Sequence, residues 1–237
     1  MEEALVGDGR TDRPLSCTHA KPPFCIFLCN HIIPNGLFVY ICTVNKKHDH
    51  REVLQTGLRL ICDKGYNSLG VDEICKTTGM TKGAFYHAFE SKEAFLLKGL
   101  RVYGEANTER LTKQLATENG TPKAIDRIID LYDFMFDAQP QNNFMGCMVN
   151  NIMSELGSAN ETVGKAASVE FDSFIEAIEP SVKAAQAEGD LSSAIDSKTL
   201  TELLHSTFYG LLTRAKSTQD HLEAKRIMHT LINTLRK

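Results

Sequence analysis

Across the C-terminal two-thirds of the chain, apolar residues recur three and four positions apart with no strand alternation, which predicts an all-α fold. Helix 1 spans about Lys47 to Lys64 and breaks at Gly65-Tyr66. Val71, Ile74 and Cys75 fall at i, i+3 and i+4, so the next helix buries one stripe and leaves Asp72, Glu73 and Lys76 in solvent. Gly79 suits the left-handed residue of a helix C-cap and Thr81 is a good N-cap, so the turn into the following helix is short. There Ala84, Phe85 and Phe89 face inward. Thr81, Lys82, Tyr86 and His87 stay outside with donors that suit phosphate oxygens and base edges. Ser91-Lys92-Glu93 starts another helix, whose N-terminal amides and Lys92 also suit a phosphate.

Further helices follow from the same periodicity. One runs from Ser91 to about Thr117, and Pro122 opens the next, which Pro140 closes after Ala138. Past the Gln139 to Asn143 loop, Gly146-Cys147 opens a run ending near Leu156-Gly157. A longer helix spans Glu161 to Glu188 with Gly189-Asp190 as its stop, and the last two cover Ser197 to Ser217 and Gln219 to Arg236. Leu200, Leu203, Leu204, Thr207, Phe208, Leu211, Leu212 and Ala215 form a face wide enough for more than one neighbour. Ala224, Ile227, Met228, Leu231 and Leu235 repeat the pattern.

Two helices, a tight turn and an exposed polar face between Val71 and Lys92 read as a DNA-binding helix-turn-helix. Helix 1, the Gly65-Tyr66 break, Val71-x-x-Ile74, Gly79, Lys82-Gly83, Phe85-Tyr86-x-x-Phe89 and Ser91-Lys92-Glu93 together resemble the TetR family of bacterial transcriptional regulators. The resemblance implies a helix-turn-helix domain over residues 45–92 and a helical ligand-binding and dimerisation domain over 93–237. It also implies a homodimer on double-stranded operator DNA, with Thr81, Lys82, Gly83, Tyr86, His87 and Lys92 at the interface. The segment Phe144 to Leu156, FMGCMVNNIMSEL, is similar to a branch of that family that includes regulators responding to acrylate and to N-ethylmaleimide or other electrophiles.

Two readings of Cys147 stand side by side. A helix start carries partial positive charge that favours thiolate, the form that reacts with electrophiles and oxidants; a cysteine beside Phe144, Met145 and Met148 also fills space as a small apolar residue. Tyr132, Phe136, Met148, Phe171 and Phe174 are candidate lining for a pocket holding a small-molecule effector, or simple core. His205 and Arg214 are polar anchors or satisfied interface residues. The expected mechanism is repression by occlusion, relieved by a ligand or by thiol modification, with Gly99 and Gly104 as points of flexing in the connecting helix. Activation stays open, and the rival reading is a dimerising interaction module without operator binding.

Charge and composition narrow the picture. Residues 45–101 hold ten Lys or Arg against seven Asp or Glu, whereas residues 102–237 hold thirteen against nineteen, so positive charge is local to the helix-turn-helix. The formal net charge of -4 argues against indiscriminate nucleic-acid binding. No Gly-rich phosphate loop, His-Glu-x-x-His or nucleophile elbow points to an enzyme, and no cofactor is implied. Residues 1–44 are expected to be a poorly ordered or non-native extension. Beta-branched and aromatic residues flank Pro34-Asn35-Gly36, which predicts a hairpin, and neither arm reaches the roughly 18 apolar residues of a membrane span. Cys17, Cys25, Cys29 and Cys42, with His19 and His31, lack paired Cys-x-x-Cys spacing, so no metal site is predicted. An odd number of cysteines without an export signal points to the cytoplasm.

Overall fold

Asp49 opens the helical part of the chain: its carboxylate accepts the Arg51 N–H at 2.8 Å and caps α1, His50–Lys64. The computed structural model describes residues 30–33, 36–39, 49–117 and 123–237. After α1 come α2 (Val71–Thr78), α3 (Lys82–Phe89), α4 (Lys92–Leu115), α5 (Ala124–Asp137), α6 (Met148–Leu156), α7 (Glu161–Ala187), α8 (Ser197–Thr218) and α9 (His221–Thr234). The expected all-α architecture holds for this part, which forms one compact unit from His48 onward. Separately, β1 (Asn30–Ile33) and β2 (Gly36–Val39) pair antiparallel, Asn30 opposite Val39 and Ile33 opposite Gly36. The other expectations for residues 1–44, including Cys17, Cys25, Cys29, Cys42 and His19, lie outside the described residues, as does Pro122.

The first three helices and the start of α4 share an aromatic core. The rings of Phe85, Phe89 and Phe95 meet at centroid distances of 4.9 to 5.3 Å, and all three are buried. Burying each such ring contributes about 1.5–3 kcal/mol. α4 then continues past this core and packs against α1, α5, α6 and α7. Gly99 and Gly104, expected as points of flexing, sit within it where neighbouring side chains approach closely. A Cβ on Gly99 would stand 2.6 Å from Cδ2 of Leu58 in α1, and one on Gly104 would collide with the Glu170 carboxylate of α7.

The apolar stripe expected on α8 divides. Leu200, Leu204, Phe208, Leu211, Leu212 and Ala215 are buried within the chain, whereas Leu203 is 41% exposed and shares the outward side with Ser206 and Gly210. On α9, Ala224 and Met228 are buried while Ile227, Leu231 and Leu235 are half-buried. Among the described residues no helix is long and apolar enough to cross a membrane.

Gly57 reports the tightness of the α1–α4 contact. A Cβ there would overlap Cζ of Phe95 and stand 2.9 Å from its Cε1, on a ring with no room to move. Gly57→Ala gains about 1 kcal/mol of helix propensity but forces overpacking that costs about 1–3 kcal/mol. A lower urea midpoint than wild type is expected, and an unchanged or higher midpoint would show that Phe95 yields freely.

Candidate nucleic-acid interface and regulatory site

The turn between α2 and α3 is built by two local devices. Gly79 takes the left-handed conformation, φ 72°, and the Thr81 hydroxyl accepts the Ala84 N–H at 3.2 Å. With Phe85 and Phe89 turned into the core, Thr81, Lys82, Gly83, Tyr86 and His87 are all exposed along one side of α3. Nothing lies within 4 Å of a Cβ built on Gly83, so the backbone there is open to close approach. Tyr86, 48% exposed, meets Phe85 in a T-shaped ring contact with centroids 5.6 Å apart. Lys82 pairs with Asp72 at 2.7 Å on the surface, and this hydrogen bond and charge raise its pKa. Ser91 caps α4 by accepting the Ala94 N–H at 3.0 Å.

Lys92, expected on a phosphate, has its Nζ turned onto the loop between α1 and α2. It donates to the carbonyls of Tyr66 and Leu69, both at 2.6 Å, and lies 4.0 Å from the centre of the Tyr66 ring. Burial lowers its pKa from the ordinary lysine value. The same loop is held from the other side by Glu155 of α6. Its carboxylate accepts the N–H groups of Tyr66 and Asn67 at 2.9 and 3.0 Å. Sequence reasoning missed this clamp, although a carboxylate in the last turn of a helix, where the dipole disfavours it, signals an outside partner.

The other end of α6 carries Cys147 at its N-cap position. Its thiol donates to the Tyr209 hydroxyl at 3.3 Å and accepts from the Tyr103 hydroxyl at 3.8 Å, tying α6 to α8 and α4. Burial, then the adjoining Cys147, raises the pKa of both phenols. The chain enters this position through three left-handed residues, Asn143, Phe144 and Gly146 at φ 51°, 52° and 75°. For a bulky residue such as Phe144 this conformation costs about 1–3 kcal/mol. Hydrogen bonds hold it: Phe144 N–H to Gln139 O at 2.9 Å, Gly146 N–H to Gln139 Oε1 at 3.1 Å, and Asn151 Nδ2 to Met145 O at 2.9 Å. Lys216 of α8 donates to Asn151 Oδ1 at 2.5 Å. Burial pushes the Cys62 thiol of α1 up, with a hydrogen bond from Asn151 opposing it.

Two cavities flank this turn. One of about 570 Å³ is lined by Leu54, Leu58 and Cys62 of α1 and by Met145 and Met148; the other, about 120 Å³, is lined by Cys147, Phe174, His205, Phe208 and Tyr209. Tyr103, Asn107 and Arg110 of α4 border both. Of the residues expected to line a pocket, Phe174 faces the smaller cavity and Met148 the larger. Tyr132 and Phe136 line neither; they are fully buried and pack on Phe208 with centroids 5.5 and 5.0 Å away. Phe171 meets Tyr209 in a T-shaped contact with centroids 5.5 Å apart. His205 is buried at the inner end of the smaller cavity, whereas Arg214 is exposed on α8 beside Asp220 and Glu223.

Comparison with known proteins agrees with this architecture. A model of the bacterial regulatory proteins of the tetR family matches residues 53–98, and a model of the tetracyclin repressor-like C-terminal domain matches residues 124–231. The chain is 30% identical over 168 residues to the transcriptional regulator AcuR of Cereibacter sphaeroides, covering 70% of this chain and 76% of AcuR. It is 34% identical over 122 residues to the HTH-type transcriptional repressor NemR of Escherichia coli, covering 51% of this chain and 60% of NemR. A crystal structure of the regulatory protein TetR from Rhodobacter sphaeroides superposes with a TM-score of 0.71 at 26% identity, covering 79% of this chain and 98% of that one. The reduced form of E. coli NemR has the same fold, with a TM-score of 0.70 at 24% identity over 80% of this chain and 98% of that one. The chain belongs to the TetR family of bacterial regulatory proteins.

Proposed function

We propose that this DNA-binding regulator is a repressor that leaves its operator when a small molecule occupies the cavities beside α6 or when Cys147 is modified. The observation that carries the DNA-binding half is the α3 face. Lys82, Tyr86 and the Gly83 backbone are assigned to phosphates, and Thr81 and His87 to base edges or the adjoining backbone. Lys92 enters this reading as the clamp of the α1–α2 loop, since the Tyr66 and Leu69 carbonyls occupy two of its three donors.

Operator recognition by one short helix needs a second copy. In this reading the outward side of α8, with Leu203, Ser206 and Gly210, packs with α9 on its symmetry mate. The dimer then presents two α3 helices to half-sites about 34 to 36 Å apart. Repression is favoured by the likeness to NemR, which is named a repressor. Release follows when the ends of α6 move: Cys147 touches α4 and α8 at one end, and Glu155 holds the α1–α2 loop at the other.

A gel shift with the DNA upstream of the protein's own gene tests the DNA assignments. Lys82→Ala is expected to weaken binding to all sequences and to flatten the salt slope by about one unit. His87→Ala is expected to relax sequence preference instead. Unchanged affinity and slope for the lysine variant, or unchanged preference for the histidine variant, would remove that residue from its role. No shift with any upstream fragment favours the interaction-module reading.

Maleimide tests the thiol. The Cys147 sulfur adds across the maleimide double bond and the thiol proton ends on the neighbouring carbon, placing a bulky group between Tyr103 and Tyr209. Wild type is expected to release operator DNA, while Cys147→Ser binds DNA untreated and keeps it after treatment. Equal release from the serine variant would assign the effect to another cysteine, such as Cys62, and would leave Cys147 as cavity wall.

A further inference from the structure

His205 stands in the middle of α8 at 2% exposure, caged by five aromatic rings. Tyr132, Phe171, Phe174, Phe208 and Tyr209 lie with centroids 4.8 to 6.3 Å from its own. Neither imidazole nitrogen has a hydrogen-bond partner among the described residues. Packing alone calls for phenylalanine here, because a buried donor or acceptor left unmade is destabilising. Burial drives the pKa of the ring down to about 3, so it stays neutral and offers one N–H and one lone pair.

The same ring lines the inner end of the smaller cavity, together with Phe174 and Phe208, while the exposed Arg110 and Asn142 stand at its outer end. At about 120 Å³ the space suits one small ring, since an apolar cavity of about 150 Å³ holds benzene. We propose that this cavity binds a small uncharged ring compound bearing a hydroxyl group, a phenol, with the hydroxyl on His205 and the ring among the aromatic side chains.

A hydroxyl fits whichever tautomer is present: it donates to a bare ring nitrogen or accepts from an N–H. A carboxylate turned toward His205 would lie among Phe174, Phe208 and Leu212 without a cation, and one turned toward Arg110 would leave the imidazole unpartnered. Edge and face contacts with the surrounding rings favour a planar partner. The role of such a molecule as effector rests on the function proposed above. The site itself does not, because the cavity also contains Cys147, and a ligand seated there meets the start of α6 whether or not DNA is bound.

The test is calorimetric titration of phenol, benzene and benzoate into the full-length protein, with His205→Phe and His205→Gln alongside. Phenol is expected to bind once per subunit, at least tenfold more tightly than benzene or benzoate. His205→Phe is expected to lose at least tenfold in phenol affinity, and His205→Gln, which keeps a donor and an acceptor, to recover part of it. In wild type the ring ¹⁵N resonances of His205 are expected to shift on adding phenol, a readout that holds even if a variant fails to fold. Absence of phenol binding, benzoate binding as tightly as phenol, or ring resonances that stay fixed would overturn the proposal. A gel shift run in parallel separates the two claims. Phenol bound at His205 with operator DNA retained would support the site and contradict release by its ligand.

Discussion

The loop from Gly65 to Gly70 depends on two opposite charges that come from different helices. Lys92 takes two of its carbonyls and Glu155 takes two of its N–H groups. Hydrogen bonds to charged groups contribute about 1.5–3 kcal/mol each, more than a typical neutral pair. Besides these charges the loop is held by the buried Leu69 side chain and by the backbone bond from Leu69 N–H to Tyr66 O, while Gly65 has a positive φ of 82° and Gly70 starts α2 without a side-chain cap. Its position sets where α2 begins, and through the Gly79 turn it sets the direction of α3. Contacts from α4 and α6 thus reach the loop that leads into α2 and α3, beside the aromatic core that those helices share.

That dependence makes α6 a two-ended part. It has nine residues, from Met148 to Leu156, a rod about 13 Å long. At its start lie Cys147, the Tyr103 and Tyr209 hydroxyls and the Lys216–Asn151 bond; near its end lies Glu155. A helix this short moves as a rigid body, so displacement at one end is felt at the other. α4 offers a parallel route, because it carries both Lys92 and Tyr103, and its Glu93 carboxylate accepts from Asn160 at the head of α7 at 2.7 Å. The left-handed residues before Cys147 place a strained segment beside a cavity.

Much of this was legible in the sequence where local chemistry decides structure. The caps at Thr81 and Ser91, the left-handed Gly79 and the inward Phe85 and Phe89 follow from residue type and spacing, and the α3 face follows from them. Long-range partners were not legible. Lys92 reads as a free cation until Tyr66 is seen beneath it, and Glu155 reads as a helix-end carboxylate until the loop amides are seen opposite. Periodicity also could not divide the α8 stripe between core and outward side, because Leu200 and Leu203 are equally apolar. The expected lining divides for the same reason: Phe174 and Met148 line cavities, whereas Tyr132 and Phe136 fill space against Phe208, and His205, a polar residue that an apolar pattern passes over, lines the smaller cavity. Nor does periodicity show that Leu58 and Glu170 approach α4 closely at Gly99 and Gly104.

Transmission of a change at Cys147, the N-cap of α6, to the α1–α2 loop is tested most directly by amide hydrogen exchange at Tyr66 and Asn67. The protein is measured in solution without DNA, before and after one maleimide is placed on Cys147. If α6 transmits the change, both amides lose their Glu155 acceptor and exchange at least tenfold faster, while the core amides of α1 keep their protection. Unchanged exchange at Tyr66 and Asn67, on a protein shown by mass to carry the adduct, would contradict the account.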